Sequence, residues 1–195
     1  MESIEPFDLV LFLGLFAMFI VGYAQGIIRR LLGIGAILFS LGLAAQLRPQ
    51  FGGYLASQWT SIIPSYGLMV GFLAVFIGAA VTLSVLIQIS YRPAPLLIRY
   101  PVLDEVLGGV LGVLEGLIIF MAVLIIMDPY FFGPGSTIGG ANEFSPFRSL
   151  HAFIDDSLSA RIMREGVIPG VMAVFGIIFP RDVVDAFAAV FVARG

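Results

Sequence analysis

The stretch VLGGVLGVLEGLIIFMAVLIIM, residues 106–127, decides the fold of this chain. A hydrocarbon core about 30 Å thick is crossed by roughly 20 apolar residues of helix, each rising about 1.5 Å. Residues 106–127 meet that length with a single ionisable side chain, Glu115. Three further runs read the same way: 7–28 and 66–89 are long enough to cross, and 31–47 falls slightly short. Ionisable residues gather between the runs. The expected fold is all-α, an integral membrane bundle of about four transmembrane helices within residues 1–128.

Composition agrees. The chain is 59% hydrophobic and 12% charged, with a mean hydropathy of +1.05, whereas soluble domains carry about 25% charged residues. At 195 residues it forms one compact bundle with a small appendage. A net charge of −3 gives no basis for a nucleic-acid partner. All 10 basic residues are Arg, so no lysine is present to form a Schiff base. Without Cys, disulfides, thiol catalysis and thiolate metal sites are excluded, and 1 His cannot supply a site that needs two imidazoles. No Walker loop, dinucleotide fingerprint, HExxH or GxSxG motif occurs. The residues therefore indicate no catalytic set, metal, cofactor or small-molecule substrate. The N-terminus, MESIEPFD, is acidic and lacks the positive region of a cleaved signal peptide, so the first run is read as a retained span.

Arginine placement gives an orientation. The connection after the first run carries Arg29 and Arg30, and the one after the third carries Arg92 and Arg99. Near the spans on the opposite side only Arg48 is found. The positive-inside rule then puts the two Arg-bearing connections in the cytoplasm, and the N-terminus, the loop 48–64 and the tail outside. Tyr54, Trp59, Tyr91, Tyr100 and Tyr130 suit interfacial layers. The first connection is so short that residues near Gly26 and Gly33 are expected to join the turn.

The remainder differs in character. Residues 129–144 are rich in Gly and Pro and read as a loop. In the tail, 145–195, Ser145-Pro146 looks like a helix start. Phe147, Leu150, Ile154 and Leu158 then recur at near-helical spacing opposite Arg148, His151, Asp155 and Ser159, which predicts an amphipathic helix on the membrane surface. His151, Asp155 and Ser149 read as a solvated polar face, since Ser149 and His151 point to different sides of a helix. Asp155-Asp156 with Glu143 supplies no closed oxygen cage for a cation. Residues 168–179 are too short for a further span and read as interfacial or re-entrant. Residues 181–194 read as another short helix.

Glycines mark where helices meet. Lipid tails give no hydrophobic drive for helix association, so small residues that let backbones approach become important. Gly22 and Gly26 form one stripe; Gly108, Gly112 and Gly116 form another. The first and fourth spans are expected to cross there. Glu115 lies about midway along its run, where a charge costs at least ~2.5–3.5 kcal/mol and calls for a partner, a proton or water. Helical spacing puts Asp104, Gly108, Gly112 and Glu115 on one face, turning the carboxyl toward the glycine groove, with Gln25 as a possible neighbour. Arg29, Arg30, Asp104 and Glu105 fall together at the cytoplasmic boundary, where they could form ion pairs that fix register or, for the arginines, contact lipid phosphates.

These residues carry a family resemblance. Asp8, the Gly22…Gly26…Arg29 end of the first run, Leu103-Asp104…Gly108…Gly112…Gly116, and Ser145 together resemble the colicin V production protein family of bacterial inner-membrane proteins, over roughly residues 5–150. The chain departs from that pattern at Gln25, Glu105 and Glu115, where the family usually has a basic residue. The resemblance implies a bacterial inner-membrane location and a link to toxin export or envelope homeostasis, with no agreed molecular activity. The leading expectation is a non-enzymatic scaffold or accessory subunit whose partners are the bilayer and other membrane subunits or itself. The alternative is a small oligomeric channel or transporter with Glu115 as its intramembrane proton or ion carboxyl. A membrane enzyme ranks third.

Overall fold

A computed structural model describes residues 5–58, 64–91, 100–132, 145–175 and 184–185. The elements are α1 (Pro6–Gln58), α2 (Pro64–Ser90), α3 (Pro101–Phe132), α4 (Ser145–Asp155), α5 (Leu158–Ile162), a π-helical turn (Met163–Val167) and α6 (Ile168–Phe175), with no strand among the described residues. Each of the three long helices opens on proline. The ring fixes φ near a helical value, and the missing N–H is one the first turn leaves unbonded anyway. All three are long and apolar enough to cross a membrane.

The longest helix is two arms. Gly26 has φ 75° and ψ 177°, far outside helical values, and divides α1 into a first arm, 6–25, and a second arm, 27–58. Contacts with α3 show the reversal. Phe7 meets Phe120, Leu15 meets Gly116, Met18 meets Gly112 and Gly22 meets Gly108, so the first arm runs antiparallel to α3. After Gly26, which faces Asp104, the chain climbs back: Gly33 lies against Glu115. The second arm thus runs parallel to α3. It then crosses α2 in antiparallel fashion, with Gly52 against Leu68 and Gly71, and Ala56 against Gly67.

Half of the most apolar window of α3 is buried inside the protein, against 17% for α2 and 11% for α1. The central helix is therefore α3, flanked by both arms of α1, and α2 packs on the second arm. Leu41, Phe72, Leu124, Ile125 and Ile126 fill the core between them. On the outside, Phe12, Phe16, Phe39, Ile77 and Val110 remain exposed, as expected where acyl chains replace water.

Two helices run further than their apolar stretches. The second arm continues past Leu47 and through Pro49 to Gln58, and α3 continues through Pro129 to Phe132. A proline removes one helical hydrogen bond. In the second arm the extension is held by the Gly52 and Ala56 contacts with α2. In α3 it is held by partners for Asp128 that come from the tail. Residues 133–144, the Arg92 and Arg99 connection, Trp59 and most of 176–195 lie outside the described residues, and with them the last short helix and the rest of the expected Gly/Pro loop, whose first residues, 129–132, continue α3 as helix instead.

Candidate functional site

The first feature built by these elements is the crossing of the first arm with α3. A Cβ added at Gly108 would stand 2.6 Å from the Gly22 carbonyl oxygen and 2.8 Å from Gly26 backbone, and one at Gly22 or Gly112 would overlap backbone of the facing helix. Gly116 receives the Leu15 side chain instead, 2.8 Å from an added Cβ. Gly109, not singled out by the sequence pattern, receives the Phe19 ring. Main chains touch here, which only glycine permits.

One turn beyond the Gly26 break, Arg30 donates from Nη1 to Glu115 Oε2, and both residues are buried, at 5% and 8% exposure. Gly33 makes room for the carboxylate: an added Cβ would stand 2.7 Å from Oε1. Arg30 Nε is buried without a hydrogen-bond partner among the described residues. The boundary ion pairs expected among Arg29, Arg30, Asp104 and Glu105 are thus revised. Arg30 follows the rising second arm to Glu115, Glu105 accepts a hydrogen bond from the Tyr23 hydroxyl, and Asp104 is buried facing Gly26. Arg29 is half-buried and makes no ion pair among the described residues. The possible partner for Glu115, Gln25, gives way to Arg30.

The second ionic centre lies at the other end of α3. Asp128 is fully buried. Its Oδ2 accepts from Arg164 Nε at 2.7 Å, and its Oδ1 accepts from Arg164 Nη2 at 2.8 Å and faces His151 Nε2 at 3.2 Å. Arg164 Nη1 donates to Asp155 Oδ1 at 2.6 Å. Burial works against the Arg164 charge, but the hydrogen bonds and negative charges of Asp128 and Asp155 outweigh it and hold its pKa above the ordinary arginine value. The His151 ring stacks on Phe131, with centroids 4.2 Å apart and planes 22° from parallel.

The solvated polar face expected for α4 is therefore corrected. His151 is buried, along with Ile154, while Leu150 and Phe153 are largely exposed. A charged partner at Asp128 outcompetes apolar burial in deciding which face of α4 turns inward. Asp128 reads in sequence as the boundary between the last span and the Gly/Pro loop that follows it. The signals that could have found this centre are an Asp directly after a span and an Arg amid the apolar residues Ile162, Met163, Val167 and Ile168. Asp8, at the start of α1, accepts from the backbone N–H of Leu158 and Ser159 at 3.2 and 3.0 Å and from the Ser159 hydroxyl at 2.6 Å. It satisfies N–H groups that the first turn of α5 leaves unbonded. Ser157 completes that cap by accepting from Ala160 N–H at 3.1 Å.

Among the described residues no group of three His, Asp or Glu side chains converges to hold a metal. Long apolar helices around a glycine-tight crossing, with charges paired inside, define a polytopic α-helical membrane protein. The model of the colicin V production protein family matches residues 7–165, and the chain belongs to that family. No curated protein and no solved structure matches it.

Proposed function

We propose that the protein is a non-catalytic scaffold or accessory subunit of an envelope or toxin-export assembly in the bacterial inner membrane. The observation that carries this reading is the pairing of Glu115 with Arg30. A relay carboxyl must exchange protons with water or with further acids, whereas this one is engaged by a cation and packed against Gly33. Family membership supports the link to toxin export. The N-terminus and tail lie outside and the Arg-bearing connections in the cytoplasm; the joining of Asp8 to α5 agrees with that arrangement by keeping N-terminus and tail at one end. Partners are lipid and other membrane subunits or further copies of the chain.

Purification of the tagged chain from its native membrane in mild detergent tests the reading. Co-purifying subunits at fixed stoichiometry are the expected result. A clean homo-oligomer whose ion or proton flux is lost in Glu115→Gln, with the fold intact, would replace the scaffold by a channel.

A further inference from the structure

We propose that α4, α5 and the π-helical turn form a cap that opens and closes as one unit over the end of α3, with Asp128 as its latch. Two separate tail elements reach the same carboxylate: α4 sends His151 to Oδ1, and the π-helical turn sends Arg164 to both oxygens. The Arg164 guanidinium also binds Asp155 at the end of α4. The tail elements are thus tied to each other by the group that ties them to the bundle. Losing the Asp128 charge releases both attachments at once, yet leaves the internal tie between Arg164 and Asp155 in place. Asp8, bonded to Leu158 and Ser159, then remains as a polar tie between the cap and α1, so Asp128 acts as the latch at the far side of that tie.

The backbone is built for it. A π-helical turn is an uncommon interruption of an α-helix, frequently found at functional sites, and here it carries Arg164. Beneath the cap lie Phe131, stacked on His151, and Phe7, which meets Phe153 edge-on at 5.5 Å. Ile154 is buried on the same side. Ile154, Ala160 and Met163 join the apolar core beneath the cap, and the charges at Asp128 add direction to that seat. An open cap uncovers the Phe7 and Phe131 surface and a closed one withholds it. For a contact protein this is control over a contact face; that last step rests on the scaffold reading, whereas the motion itself does not.

The chain contains no Cys, so single cysteines report without background. Ile154→Cys probes beneath the cap, and Ala36→Cys probes a buried position near the middle of the bundle, three residues past Gly33. Each is placed in the full chain, reconstituted in phosphatidylethanolamine–phosphatidylglycerol nanodiscs that leave both faces accessible, and reacted with a polar maleimide. Adding Asp128→Asn or Arg164→Gln is expected to speed labelling of the Ile154→Cys probe by ~10-fold or more, the scale of a local opening, and to leave the Ala36→Cys probe unchanged. Unchanged protection of the Ile154→Cys probe in both variants would overturn the latch. So would a parallel rise at the Ala36→Cys probe, which would make Asp128 a residue of the whole fold, or rapid labelling of the Ile154→Cys probe in the parent chain.

Discussion

Asp8 and Ser159, 151 positions apart, are joined twice: one carboxylate oxygen accepts from the Ser159 N–H at 3.0 Å and from its hydroxyl at 2.6 Å. The start of the first membrane helix thereby caps a helix of the tail. Removing a capping carboxylate costs about 0.5–2 kcal/mol. Asp8→Ala is expected to raise amide hydrogen exchange in residues 157–162 while exchange in α3 stays as slow as before. Equal acceleration in both segments would show that Asp8 supports the bundle and not the cap.

The crossing of the first arm with α3 makes a contrast among glycines. A methyl group at Gly108 meets backbone at 2.6 Å, whereas nothing lies within 4 Å of one at Gly14. Overpacking costs about 1–3 kcal/mol. In SDS titrations of the purified protein, Gly108→Ala and Gly112→Ala should unfold at clearly lower detergent fraction. Gly14→Ala should match the parent or exceed it slightly, because alanine is the better helix former.

Gly26 adopts φ 75° with ψ 177°, a conformation essentially reserved for glycine. Gly26→Ala should destabilise the protein by about 1–3 kcal/mol from backbone strain alone, and the added methyl would also overlap the Asp104 carboxylate. Gly35→Ala, where the space is open, is the control. Melting of both variants in one detergent checks the difference, and equal midpoints would remove Gly26 from its place as the reversal point.

Arg30 and Glu115 form a buried pair, so their variants should not add. Breaking such a pair by removing one partner costs about 3–5 kcal/mol, while replacing both with apolar residues is often close to neutral. Arg30→Leu and Glu115→Leu should each lower folded yield and stability sharply, and the double variant should recover most of the loss. A double-mutant cycle in detergent measures this coupling. Strict additivity would mean that the two charges act separately.

The helical, membrane-embedded character of the protein was legible because it depends on local quantities. Run length, apolarity and proline placement act over one helix at a time, and the bilayer imposes the same length on every sequence that crosses it. Gly22, Gly26, Gly108 and Gly112 were legible for a related reason: a helix that must approach another closely has few alternatives to glycine at the point of contact. The reversal near Gly26 could also be anticipated, since the first two apolar runs leave almost no connection between them.

Partner choice among charges was not legible. Arg30 stands beside Arg29 in sequence and falls at the same boundary as Asp104 and Glu105, yet it pairs with Glu115 because the second arm turns upward after Gly26 and carries it along α3. His151 lies on what reads as the polar face of a surface helix, yet it is buried because Asp128 and Arg164 form a charged seat that α4 must meet. A sequence determines which segments enter the membrane through properties each residue carries by itself. Which charges meet inside depends on the direction and rotation of whole helices, quantities that exist only once the tertiary structure has formed.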